Sequence, residues 1–265
     1  MPRPTVLFLL GLAFAANLTA QTPVLPPKES FHLFLLVGQS NMAGRGVPTP
    51  ADRTPHPRVL MLDKAGAWVP AIDPMHFDKP AVIGVGPGRA FGVAIAEAFP
   101  GATIGLIPCA VGGSPIDAWR PGSFYEATKT HPWDDAIRRA RIALRAGTLK
   151  GIVWHQGESD STAALAPAYA AKLHALVARF RAELAAPAVP FLAGQLGKFT
   201  DAPWDAFRTQ VDLAHRELPR NAPHTAFVSA DGLKHKGDKV HFDADSAREL
   251  GRRYAAAYLE LARQN

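Results

Sequence analysis

Cysteine is almost missing from this chain: Cys109 stands alone among 265 residues. No intrachain disulfide can brace the fold, so the core has to carry it. Cys109 closes an apolar run and reads as a small buried hydrophobe, not a nucleophile. Long apolar runs are scarce too. Val6 to Ala16 spans about eleven residues, too short to cross a bilayer. The net charge of +6 is spread along the chain, without a basic block interleaved with aromatics, which gives no reason to expect nucleic-acid binding. No internal repeat occurs, and no linker is long enough to divide the chain.

What is present fits one globular unit. Hydrophobic residues make up 48% and charged residues 20%, enough for a sizeable core. Arg3, the short apolar stretch and the small-residue sites Ala13-Phe14-Ala15 or Leu18-Thr19-Ala20 have the layout of a secretory signal over residues 1–20. Polar, Pro-rich sequence follows immediately, which argues against a buried N-terminal helix. Residues 21–30 read as an extended lead-in and 31–265 as a single domain exported to the periplasm or beyond.

Strand and helix patterns alternate. Strands are expected at Leu33–Val37, Arg58–Leu62, Thr103–Cys109, Ile152–Trp154, Phe191–Ala193 and Thr225–Val228. Helices are expected over Arg89–Ala98, Trp133–Ala146, Ala163–Leu184, Trp204–Leu218 and Asp245–Leu261. This order predicts a three-layer α/β/α sandwich around a mostly parallel sheet.

Four polar segments follow expected strands: Gly38-Gln39-Ser40-Asn41-Met42, Gly112-Gly113-Ser114, His155-Gln156-Gly157-Glu158 and Asp238-Lys239-Val240-His241. Parallel strands align their carboxyl ends on one edge, so segments distant in sequence can meet there. A serine needs a base to become a nucleophile. His241 titrates in the right range for that work, and Asp238, three residues earlier, can reach the far imidazole nitrogen. The backbone N–H groups of Ser40 and Gly113 and the Gln156 side-chain amide are candidate oxyanion donors. Plainer roles exist for each. Ser40 could cap a helix, the glycines could be turn residues, and Gln156 and Glu158 could be surface polar residues. His155 could be a packed histidine, and Trp119 a core residue or a sugar-stacking platform. His235, Asp238 and His241 could be read as metal ligands, but no further ligand completes that set.

Taken together, these motifs resemble the SGNH-hydrolase superfamily. More narrowly, they resemble its carbohydrate-esterase group of acetylxylan esterases and sialate O-acetylesterase-like proteins. The resemblance covers about residues 32–260 and includes Gly112-Gly113-Ser114 through Trp119, and Gly86-Pro87 with Phe91. Gln39 stands where the broader superfamily has Asp, and Gln156 where it has Asn. Both departures are usual in the carbohydrate-esterase group. The resemblance implies a flavodoxin-like SGNH fold and removal of O-acetyl groups from a carbohydrate such as xylan or sialic acid. It implies Ser40 as nucleophile, His241 as base, and either Asp238 or Glu158 as the orienting acid. Gln39, Asn41, Trp119 and His155 are expected to bind substrate. No metal or organic cofactor is expected. The partner is an acetylated carbohydrate, with selectivity set by the loops Val47–Lys79 and Gly113–Thr130. A general short-chain carboxylesterase, or a non-catalytic carbohydrate-binding protein on the same scaffold, are the alternatives.

Overall fold

A computed structural model describes residues 24–264; the expected export signal and the first part of the lead-in lie outside them. A single 3-10 turn, Lys28–Ser30, leads into β1 (Phe31–Gly38). The order continues with α1 (Ser40–Ala43), β2 (Val59–Leu62), β3 (Trp68–Pro70), α2 (Pro87–Ala98), β4 (Thr103–Pro108) and α3 (Pro132–Leu144). The second half contains β5 (Thr148–His155), α4 (Ala166–Glu183), β6 (Phe191–Gly194), α5 (Ala206–Asn221), β7 (Thr225–Val228) and α6 (Ala244–Gln264).

Seven strands form one sheet in the order β3-β2-β4-β1-β5-β6-β7, parallel except for the β2–β3 pair. Why β1 sits at the centre follows from its sequence. Phe31, Leu33, Leu35 and Val37 pack into one core while Phe34 and Leu36 pack into the other. A strand apolar on both faces must be covered on both. On the first face, α3, α4 and α5 supply Trp133, Tyr169, Leu173 and Val211. On the second, α2 and α6 supply Phe91, Ile95, Leu250 and Tyr254. The result is the expected α/β/α sandwich.

The chain runs outward from β1 through β2 and β3, returns with β4, then crosses to the other side of β1 with β5. The carboxyl end of β1 is therefore the place where strand order reverses, and open α/β sheets hold their ligands in the crevice at such a point. Gly38 closes β1 with φ of +126°, and a side chain there would run into the His155 backbone. That glycine lets the ends of β1 and β5 approach closely, and Gln39 N–H donates to His155 O at 2.8 Å.

Candidate active site

Ser40 is the first residue of the short helix α1, with Gln39 at its N-cap, so it is not the cap itself. Its Oγ lies 3.0 Å from His241 Nε2. On the other side of the ring, His241 Nδ1 lies 2.7 Å from Asp238 Oδ2. The remaining Asp238 oxygen accepts the backbone N–H groups of Val240 at 3.0 Å and His241 at 2.8 Å. Burial opposes ionisation of Asp238, but the hydrogen bonds from the His241 backbone and ring and from Val240 outweigh it. Its carboxyl is held well below the usual range. Of the two acids the sequence leaves open, Asp238 is therefore the one that faces the imidazole.

Glu158 has a different neighbour. Its Oε1 accepts a 2.6 Å bond from Asn41 Nδ2. The Asn41 amide also donates to Val240 O at 3.1 Å, and its oxygen accepts from Phe242 N–H at 3.1 Å. Asn41 thus grips the residues on either side of His241 and ties their loop to Ser40 and Glu158. It was expected to bind substrate, but its side chain is buried and fully engaged within the protein.

Three other expectations change for related reasons. Gln156 is fully buried, and its Nε2 donates to Asp160 Oδ2 at 2.6 Å, Ser114 O at 3.1 Å and Gln39 Oε1 at 3.2 Å. An amide spent this way does not face an oxyanion. His155 is fully buried beneath the site, where Nδ1 meets Tyr254 Oη at 3.1 Å. Burial lowers its pKa, with the Glu158 carboxylate opposing. Trp119 is also fully buried, edge-on to Trp154, and donates its indole N–H to Ser114 Oγ at 3.0 Å. It is core, with no face open to a sugar. Gln39, by contrast, lines the cleft, and among the described residues its Nε2 has no acceptor.

The cleft encloses about 550 Å³ between Gln39, Ser40, Gly112, Gly113, Glu158 and His241. The backbone N–H groups of Ser40 and Gly113 have no acceptor among the described residues. Gly113 takes φ of +84°, which turns the loop at this point. One residue earlier, Gly112 N–H donates to Asp78 Oδ2 at 2.7 Å, and the same oxygen accepts Arg45 Nη2 at 2.9 Å. The Arg45 and Asp78 side chains are 5% and 0% exposed. A side chain on Gly112 would collide with both. Arg45 and Asp78 were not foreseen: they lie in long polar loops, with no spacing that links them to the glycines.

Charge around the cleft is mostly positive. Lys79 and Arg208 line it without an ion pair among the described residues, and Lys79 Nζ lies beside Gly113. His235 does not join the site; its ring pairs with Asp201 at 3.0 Å and accepts Gly237 N–H at 2.8 Å. Among the described residues no group of three or more His, Cys, Asp or Glu is placed to hold a metal ion. Burial pushes the Cys109 thiol up to about 11.

The profile of the family described as "Carbohydrate esterase, sialic acid-specific acetylesterase" matches residues 30–260. The chain belongs to this family. Among curated proteins, the chain is 30% identical over 262 residues to a probable carbohydrate esterase of Arabidopsis thaliana, covering 90% of this chain and 93% of that one. The solved structure of the Arabidopsis protein superposes with a TM-score of 0.76 at 31% identity, covering 89% of this chain and 99% of that one. NanS (TM-score 0.71, 19% identity, 91% and 100% coverage) shares the fold. So does a carbohydrate acetylesterase of Xanthomonas citri (TM-score 0.66, 20% identity), over 89% of this chain and 57% of that one.

Proposed function

We propose that this carbohydrate esterase removes O-acetyl groups from sugar hydroxyls by a serine acyl-enzyme route. The observation that carries the reading is the continuous chain from Ser40 Oγ through the His241 ring to Asp238, at 3.0 Å and 2.7 Å, beside two backbone N–H groups without acceptors among the described residues. His241 Nε2 takes the Ser40 proton as Oγ attacks the acetyl carbonyl. The carbonyl oxygen gains charge and is met by the Ser40 and Gly113 N–H groups, with the free Gln39 amide aimed into the same cleft. Lys79 adds positive potential at that place. His241 then gives its proton to the departing sugar oxygen, and the ester now joins acetate to Ser40. Water, activated by the same ring, releases acetate and restores the hydroxyl. Asp238 holds the tautomer that makes each transfer productive.

The acetyl-sugar substrate is supported by the family and by the similar fold of the Xanthomonas citri carbohydrate acetylesterase. Export as a single domain after removal of residues 1–20 is part of the same reading. No helix among the described residues is long and apolar enough to cross a membrane. Mass spectrometry of the mature N-terminus checks export: loss of the leader supports it, and an intact Met1 in the cytosol contradicts it.

Acetate release from acetylated xylan, O-acetylated sialic acids and acetylated monosaccharides, with Ser40→Ala as control, tests the function. Release from at least one sugar, abolished by Ser40→Ala, is the expected result. Good turnover of acyl chains longer than butyrate with none of the acetylated sugars would point to a general esterase instead.

A further inference from the structure

We propose that Gln156, although turned away from the cleft, is a positioning residue: it holds the side chain of Gln39 so that the Gln39 amide nitrogen serves as a third oxyanion donor. This rests on the acetylesterase reading and deepens it, giving work to a buried glutamine that touches no substrate.

The neighbours of the Gln39 amide decide which way it faces. Its Oε1 accepts from Gln156 Nε2 at 3.2 Å, Ser159 N–H at 3.4 Å and Gly157 N–H at 3.5 Å. Backbone N–H groups only donate, so the atom facing them is the oxygen. The nitrogen on the same carbon is left to the cleft, which Gln39 lines together with Ser40 and Gly113. Gln39 is 3% exposed, and among the described residues nothing accepts from its Nε2. A donor so enclosed is costly while idle. The oxygen that gains charge beside Ser40 supplies an acceptor at the moment of reaction. The Gln39 backbone is fixed as well, since its oxygen accepts Met42 N–H at 3.0 Å and Ala43 N–H at 2.9 Å.

Gln156 makes the shortest of the three bonds to Gln39 Oε1, and its own amide is pinned at both ends. Ser114 O, which only accepts, lies 3.1 Å from its Nε2, and Asp160 Oδ2 lies 2.6 Å away. Tyr169 Oη donates to its Oε1 at 2.9 Å. The same segment also reaches the loop after β4. Asp160 Oδ2 accepts Ile116 N–H at 2.9 Å, and Ser159 Oγ donates to Gly113 O at 2.9 Å. The residues after β5 thus set the register between the residue before Ser40 and the glycine loop. Without Gln156, Gln39 Oε1 keeps two long bonds, and its amide is free to turn.

Steady-state kinetics on p-nitrophenyl acetate tests this, with thermal midpoints to confirm folding. Gln39→Ala should lower kcat about 10²-fold with KM changed much less. Gln39→Glu keeps an oxygen for the interior donors and replaces only the nitrogen, so it should lose kcat as severely. Gln156→Met should lower kcat about tenfold at nearly constant KM, yet cost nothing further in the Gln39→Ala background, because its effect passes through Gln39. Tyr169→Phe keeps the ring and should repeat that pattern on a smaller scale, which decides the matter if Gln156→Met does not fold. Gln39→Glu within about threefold of wild type would make Gln39 a structural residue and overturn the proposal. Losses from Gln156→Met or Tyr169→Phe that multiply with that of Gln39→Ala would overturn it too, as would no loss in either variant. Each of these results leaves the role of Ser40 standing. Failure of the wild-type protein to hydrolyse any acetyl ester overturns the acetylesterase reading instead.

Discussion

His241 helps Ser40 only while its ring keeps one tautomer and one orientation, and the hydrogen-bond network divides that task between two acids. Asp238 meets the ring directly at 2.7 Å, whereas Glu158 meets Asn41, which in turn holds Val240 and Phe242 around the ring. On this geometry Asp238→Asn should lower kcat by as much as about 10⁴-fold, because the amide no longer selects the productive tautomer. Glu158→Gln keeps an oxygen acceptor for Asn41, so its loss in kcat should be far smaller. Steady-state kinetics on p-nitrophenyl acetate checks both, and the reverse ranking would move the orienting role to Glu158. Placements that depend on sequence neighbours were readable beforehand: Asp238 and His241 are three apart, and Ser40 comes two residues after the end of β1. Gln156 and Trp119 were not. Whether Gln156 faces the cleft depends on Asp160 and Ser114 capturing its amide, and whether Trp119 is core depends on Trp154 lying beneath it.

Among the elements, the glycine loop after β4 depends most on a remote partner. Gly112 N–H is fixed by Asp78, and Asp78 is fixed by Arg45, so a buried ion pair sets where Gly113 points its N–H. Asp78→Ala strands the Arg45 charge and releases the loop. The expected outcome is a loss in kcat of about 10²-fold or more, the cost of one oxyanion donor, with KM changed much less. An unchanged kcat would remove the loop from the mechanism. Helices were largely legible from their 3.6 period, and strands from short apolar runs, because strands covered on both faces are apolar throughout. The exceptions have local causes. β3 has only three residues and a half-buried pattern, so it carries no period to detect. β5 starts at Thr148, four residues before its expected start, because Thr148, Leu149 and Lys150 are only half buried. Pro219 sits inside the last turn of α5, which extends to Asn221 and not only to Leu218. The Arg45–Asp78 link was invisible because no periodicity connects loops that meet only after folding.

At the scale of the whole molecule, the order of strands brings the site together, and the buried charges that result shape stability. Asp73 is almost wholly buried. That burial, with Asp52 adding, raises its pKa to about 7, against the pull of Arg89, Gly86 N–H and Arg248. The unfolded chain releases this proton near pH 4 while the folded chain keeps it, so folded protein binds more protons in between. Stability contributed by this group therefore falls as pH rises from about 4 to about 7. Asp73→Asn should lose less stability than wild type between pH 4.5 and pH 8, read as urea midpoints. Identical pH dependence in the two proteins would contradict this.

The central claim is that Ser40 is a nucleophile activated by His241 at the reversal point of the sheet. Treatment with diisopropyl fluorophosphate followed by tandem mass spectrometry tests it most directly. One adduct on Ser40 is predicted, forming in step with loss of esterase activity and suppressed in His241→Ala. An adduct on another residue, or full inactivation with Ser40 unmodified, would contradict it.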